Sequence, residues 1–425
     1  EPDVRIPLHH LGALVGEVAG QRVLVGANGT ITAPATGTLS VGYWDSNAGD
    51  NTGSIAFNFG LGAGGGGTAM NPASVTVTAG SNLTIGTAQA TSAITLDAGG
   101  GLQLGGADAG TALSLVGTTI DAGTLKAGTD ITIASTGASV IDTATAGRLF
   151  TAATGTLDFN LVDAASDVQI RSLTGTQGGD LISGANITID GDGKIVLGHA
   201  TAADTVTIAT GDALSYGSVE GGSVIIGAAS ASGGAITARA GNLRIDVSGN
   251  LTTGQLVASE SIDLTARDVT LASAQSGADF SANVRSLSAQ VLGASGSLTL
   301  AGSGTVEVGT ATAGTGLEVT SRSLTFIRMS SGGALDVFTD GNVAGGDLVA
   351  TGQIRIATGT GSFTYGSIEG GGIAIGGQTV SGGALTARTQ DLAIAVSGDA
   401  SLGTIDAAGD VDIEARNLGF STIKA

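Results

Sequence analysis

Along most of the chain, apolar and polar residues alternate in short runs that return at a nearly fixed interval. Between Val224 and Leu264 three such runs begin at Val224 (Val-Ile-Ile), Leu243 (Leu-Arg-Ile-Asp-Val) and Ile262 (Ile-Asp-Leu), 19 and 19 residues apart. Alternation puts residues i and i+2 on one face of an extended strand, so each run predicts a short β-strand with one buried side. The same mark falls upstream at Val75, Ile94, Leu113, Ile131, Leu149, Val168, Ile187 and Val206. Downstream it falls at Phe280, Leu298, Leu317, Leu335, Ile354, Ile373, Leu392 and Val411. From Val75 to Val411 the 336 residues divide into 18 intervals of about 18.7 each.

A second alternation follows inside most intervals, as in Leu83-Thr-Ile85, Leu102-Gln-Leu104, Ile195-Val-Leu197, Val269-Thr-Leu271, Val306-Glu-Val308 and Leu324-Thr-Phe326. Each repeat therefore holds at least two strands joined by Gly, Ser, Asn and Asp turns. A unit this short cannot bury its own apolar face and must stack on its neighbours. The pattern predicts an all-β fold: a right-handed parallel β-solenoid over residues 75–425, with 18 or 19 residues per coil and about 19 coils. At ~4.8 Å per coil this is a rod of about 90 Å. Val224, Ile226, Leu243, Ile245, Ile262 and Leu264 should point inward, with Arg244 and Asp263 outward.

A longer repeat supports the count. Tyr216–Arg267 aligns without a gap onto Tyr365–Arg416, an offset of 149 residues, with about half the positions identical. Eight coils of the shorter period give the same length, so whole coils were duplicated as a block.

Composition sharpens the picture. The 425 residues include 74 Gly, 42% apolar residues, 3% aromatics and no Cys. An apolar fraction set in register argues against disorder and fits a narrow interior filled by Val, Ile, Leu and Ala. With 16 Lys+Arg against 36 Asp+Glu the net charge is −20, which opposes binding to nucleic acid or anionic membrane. No run of 18 apolar residues exists to insert into a bilayer. An acidic, cysteine-free chain suits a secreted protein that does without disulfides, with any leader expected to be removed or to lie outside these residues.

Residues 1–60 do not follow the coil register. The runs LGALVGEV, RVLVG, TITAP, TLSVGYWD and SIAFNF predict a small antiparallel, sandwich-like segment. Residues 61–74, with GAGGGG, predict a linker. His9-His10 has no third His or Cys near it in sequence and predicts only an irregular lead-in. Between the last two runs, Asp45, Asp50 and Asn51 place three oxygen-bearing side chains on a glycine-relaxed loop. Such a loop can converge on Ca²⁺ or simply form a solvated Asx-rich turn. The segment resembles the C-terminal half of a PA-IL-like lectin domain, a calcium-dependent β-sandwich. That resemblance matches Asp45, Asp50 and Asn51 to the family's side-chain calcium ligands. It also implies carbohydrate as a partner, although the loop is two residues shorter than in galactose-binding members.

From Val75 onward, period and composition resemble the shaft of filamentous-haemagglutinin-type adhesins, a right-handed parallel β-helix built from repeats of this length. The resemblance implies a secreted or cell-surface bacterial protein of structural or adhesive function, with end-to-end or homo-oligomeric assembly as a further expectation. One alternative is the subunit of a self-assembling filament or surface layer. Another is a polysaccharide-degrading enzyme, which would need carboxylates converging in a groove. Here acids are scattered, His199 stands alone in sequence, and no insertion lengthens a coil to wall a cleft, so no catalytic residue is expected. Arg267, Arg285 and Arg322 precede second strands and are expected at exposed turns. The calcium nonapeptide repeat is absent: Gly99-Gly-Gly-Leu and Gly191-Asp-Gly lack its recurring Gly-Gly-x-Gly-x-Asp.

Overall fold

The structure, a computed structural model, describes residues 74–425 together with the backbone of four earlier strands, Ala13–Val18, Gln21–Leu24, Leu39–Trp44 and Ser54–Phe57. It is all-β, a parallel solenoid of about 18 turns at the expected spacing. No helix among the described residues is long and apolar enough to cross a membrane. The chain divides into two compact units, Glu1–Ala203 and Asp204–Ala425.

In the first unit, one turn shows how the pattern becomes a coil. Leu113–Gly117 pairs in parallel with Ile131–Ser135, Leu113 opposite Ile131, and Thr119–Ala127 pairs with Ala138–Ala146, Ile120 opposite Ser139. Leu113 and Leu115 face inward from the first strand, and Ile120, Ala122, Leu125 and Ala127 from the second. The second strand breaks its own alternation: Gly123 and Thr124 both lie off the interior. A coil therefore has three inward faces, not two, with the second strand bent between them. The bend needs glycine because coils approach closely there. A side-chain carbon on Gly123 would run into the Gly105 carbonyl oxygen, and one on Gly179 into that of Asn160. Where glycine is absent, Asn160 Nδ2 donates to Asp142 Oδ1 of the preceding coil at 2.8 Å.

At the next corner, inward positions are held by small residues in exact coil register: Ala90, Ala109, Ala127, Ala146, Ala164, Ser183 and Ala202. The turns beyond them continue the ladder, with Gly110 N donating to Ala90 O, Gly128 N to Ala109 O and Gly147 N to Ala127 O, each at 2.9 Å. One register mark is corrected. Phe150, not Leu149, is the inward residue, paired with Ile131 and Val168. The larger ring fills the face that Leu149 was expected to fill, and the neighbouring intervals become 19 and 18 residues.

The N-terminal strands pair in two ways. Ala13–Val18 runs antiparallel to Gln21–Leu24 and to Leu39–Trp44. Leu39–Trp44 then pairs in parallel with Val75–Ala79, and Ser54–Phe57 with Asn82–Ala90. These two strands therefore lie on the first and second faces of the coil that begins at Val75.

The second unit repeats the same plan. Val224, Leu243 and Ile262 stack one coil apart, as do Ile226, Ile245 and Leu264, while Arg244 and Asp263 point outward. The duplicated blocks share an irregularity that marks them as one structural unit. On the bent strand, coil pairs are first 17 residues apart (Leu214–Ala231, Phe363–Val380) and then 20 (Ala231–Leu251, Val380–Ala400).

Four buried aromatics on the bent strand share one device. Phe159, Tyr216, Phe326 and Tyr365 are each paired, on the next coil, with a glycine: Gly178, Gly233, Gly345 and Gly382. A side-chain carbon on any of the four would overlap the ring. The missing side chain is the space in which the ring lies, so ring and glycine act as one packing unit.

Candidate functional site

The residues of the metal expectation, Asp45, Asp50 and Asn51, lie outside the described residues, as do His9 and His10. They belong to the stretch joining Leu39–Trp44 to Ser54–Phe57. Among the described residues, no three His, Asp or Glu side chains converge as a metal site would require. His199 is exposed on Ile195–Ala202, opposite Asp180 of the preceding coil.

A groove with convergent hydrogen-bond donors lies at the corner between the first and second faces of the second unit. It is open, encloses about 560 Å³, and is lined on successive coils by Arg285, Ser303-Gly304-Thr305, Arg322 and Asn342, with Ser286 and Ser323 at its side. Arg285 is set there by alternation. On Phe280–Ala294 the chain passes from first to second face without a turn, Val284 and Leu287 face inward, and Arg285 is thrown out. Two coils on, Arg322 occupies the one-residue step between Gly316–Ser321 and Ser323–Ser331. The coil between them contributes a low floor. A side-chain carbon on Gly304 would come within 2.8 Å of the Arg285 carbonyl oxygen, so only glycine keeps that approach.

Backbone bonds fix the corner: Gly304 N donates to Arg285 O at 2.7 Å, Arg322 N to Gly304 O at 2.9 Å, and Gly341 N to Arg322 O at 2.8 Å. Ser323 Oγ donates to Thr305 Oγ1 at 3.2 Å. The two arginines are held differently. Arg285 Nε donates to Asp268 Oδ1 of the preceding coil at 2.8 Å, and Arg267 Nε reaches Asp268 Oδ2 at 3.3 Å. The Arg285 hydrogen bond, with smaller contributions from Ser286 and Arg267, holds the Asp268 carboxyl below its ordinary value of 3.8. Arg322 has no ion-pair partner among the described residues. The acids at the two ends are Asp268 and the exposed Asp340, leaving three arginines against two carboxylates along the corner of a chain whose net charge is −20.

Arginine pairing with the preceding coil is a recurring motif. Arg148 pairs with Asp130 in the first unit, and in the second Arg388 pairs with Glu369 and Arg416 with Asp399. Apart from the half-buried Asp130 these side chains are substantially exposed, so solvent screens each pair. They fix side-chain direction more than they stabilise the fold.

Arg267, Arg285 and Arg322 are exposed, as the sequence predicted, but only Arg322 lies at a turn; Arg267 and Arg285 sit inside the continuous strands Ile262–Ser276 and Phe280–Ala294. The sequence did not show that Asp268 bridges two of them or that Asn342 joins the same groove. The available signal was spacing: Arg285 and Arg322 are 37 residues apart, two coil lengths. Comparison with protein-family models, curated proteins and solved structures finds no match to this chain.

Proposed function

We propose that this chain is a non-catalytic structural or adhesive shaft, secreted to a bacterial cell surface. The carrying observation is that consecutive coils are joined at both levels. Their strands pair in register, and their turns are hydrogen-bonded to the turns of the coil before, as at Gly110, Gly128 and Gly147. Such a structure gains length one coil at a time, and every coil resists separation from its neighbour through many parallel backbone bonds. Length and stiffness are then the property selected, and side chains on the outer faces are free to carry recognition.

Removing residues 216–364 from the full chain tests this. The deletion joins Ser215 to Tyr365, in equivalent positions of the duplicated block, and takes out eight coils. Small-angle scattering should show the same cross-section and a particle shorter by about 38 Å, from ~4.8 Å per coil. A shortened protein that loses its fold, or changes cross-section, would remove the basis for the shaft.

At the N-terminus, the lectin-like reading extends the proposal. Asp45, Asp50 and Asn51 bind Ca²⁺ with backbone carbonyls completing the shell, and carbohydrate is the class of ligand presented there. Chelation of the full chain should lower protection of Ser54–Phe57 in hydrogen exchange. Unchanged protection, with no calcium retained after gel filtration, refutes the site.

A further inference from the structure

We infer that the corner groove of the second unit binds an acidic polysaccharide, with two of its carboxylate or sulfate groups seated on Arg285 and Arg322. This rests on the adhesive reading above and names the ligand class of one site on the shaft. The two guanidinium groups stand two coils apart, about 10 Å along the stack at ~4.8 Å per coil. The step between them on the intervening coil, Ser303-Gly304-Thr305, carries no charge, and the exposed acid of that coil, Glu307, lies further along the second strand. Guanidinium pairs with carboxylate or sulfate through two parallel N–H···O bonds, and Arg322 has no partner of its own to compete. Arg285 is oriented by Asp268 on the side away from Arg322, so the anion meets an arginine already fixed in place.

Three features select a polysaccharide over other polyanions. The groove runs along the coil stack and is open, which suits an extended chain more than a single ion. Its lining offers the hydroxyls of Ser286, Ser303, Thr305 and Ser323 and the Nδ2 donor of Asn342, whose Oδ1 accepts from Ser362, matching a hydroxyl-rich ligand. It contains no aromatic ring on which a nucleic-acid base could stack. The −20 charge of the whole chain repels polyanions elsewhere, so binding should be confined to this corner.

The test is calorimetry of the full chain with polygalacturonate, dextran sulfate and neutral dextran, at two salt concentrations. Binding of at least one acidic polymer, none of neutral dextran, and weakening at the higher salt are expected. Arg322→Ala and Arg285→Ala should each weaken binding about tenfold or more, from loss of one charge-assisted contact, while Arg148→Ala, in the other unit, should leave it unchanged. The proposal is overturned by absence of binding to both acidic polymers or by equal binding in Arg322→Ala. It is also overturned by tighter binding of single-stranded DNA, or by sedimentation showing that the Arg322-dependent ligand is a second copy of the chain. The coil-deletion experiment reads particle length alone, so failure here and failure of the shaft are separate results.

Discussion

The two duplicated blocks contain a natural experiment in buried hydrogen bonding. Tyr216 and Tyr365 occupy equivalent positions, each buried over a glycine. Tyr216 Oη donates to Thr253 Oγ1 at 3.0 Å, and Thr253 Oγ1 in turn donates to Gly234 O at 2.7 Å. In the second block the residue equivalent to Thr253 is Leu402, and the Tyr365 hydroxyl is buried without a partner. Burial pushes the pKa of both phenols above its ordinary value, with the Thr253 hydrogen bond partly offsetting this for Tyr216. Removing the hydroxyl should therefore have opposite signs at the two sites. Tyr216→Phe loses one neutral hydrogen bond and costs about 0.5–1.5 kcal/mol. Tyr365→Phe removes an unsatisfied polar group and stabilises by about 1–3 kcal/mol, while the ring keeps its stacking on Phe363, centroids 5.1 Å apart. Because coils of a solenoid can open separately, global melting is a poor readout and native-state hydrogen exchange is the right one. At a factor of ten per ~1.4 kcal/mol, Tyr365→Phe should slow exchange in Ser362–Ala387 roughly five- to a hundredfold. Tyr216→Phe should speed exchange in Ala213–Ala238 roughly two- to tenfold. Leu402→Thr should restore a partner and reverse the sign of Tyr365→Phe, giving a favourable coupling of about 1.5–4.5 kcal/mol in a double-mutant cycle, the difference between the two effects. Faster or unchanged exchange in Tyr365→Phe would refute the reasoning.

Other outcomes follow from the same contacts. Gly345→Ala should cost about 1–3 kcal/mol by driving a methyl into the Phe326 ring, and Phe326→Leu in the same chain should recover part of it; local exchange in Ser323–Ala350 reads both. Asp268, held below its ordinary 3.8 by Arg285, contributes stability that is present above that value and lost as pH falls through the lowered one. Wild type and Arg285→Ala should therefore differ in native-state hydrogen-exchange protection of Ile262–Ala294 at pH 5 and converge in strong acid, and a difference that persists there would show that the pair is not the cause.

The period was legible because it is written in residues that cannot be exchanged for polar ones. Val224, Leu243 and Ile262 lie in a column with no access to water, and each must be apolar for the coil to close. The third face was not legible because its boundary is a bend inside one strand. Two successive outward residues, such as Gly123 and Thr124, read in sequence as a strand that has ended. Leu149 misled for a related reason. It adjoins the true inward position, and a leucine beside a phenylalanine gives alternation two registers from which to choose. The ring-over-glycine pairs are written in sequence as well, as Phe159 with Gly178 or Phe326 with Gly345, 19 residues apart. They become visible only when the chain is folded at its period, because neither residue is unusual alone.

The groove follows a different rule from the core. An interior column constrains every member, so its pattern repeats and can be found by repetition. An outer corner constrains only the backbone, through glycines such as Gly304, and leaves the outward side chain free on each coil. Arg267 and Arg285 stand opposite each other on adjacent coils and Arg322 two coils beyond, with an uncharged step between, so the outward residue follows no fixed period. In a solenoid, any two outward residues a whole number of coils apart are neighbours along one column, whatever lies between them in sequence. Recognition can then be built by single substitutions on a fold that does not have to change to accept them. The core must repeat for the coil to exist, and the surface can depart from that repeat at little cost in stability. For this chain the departures from periodicity, more than the periodicity, are where a ligand would be read, and the uncharged step at Ser303-Gly304-Thr305 between two arginines is such a departure.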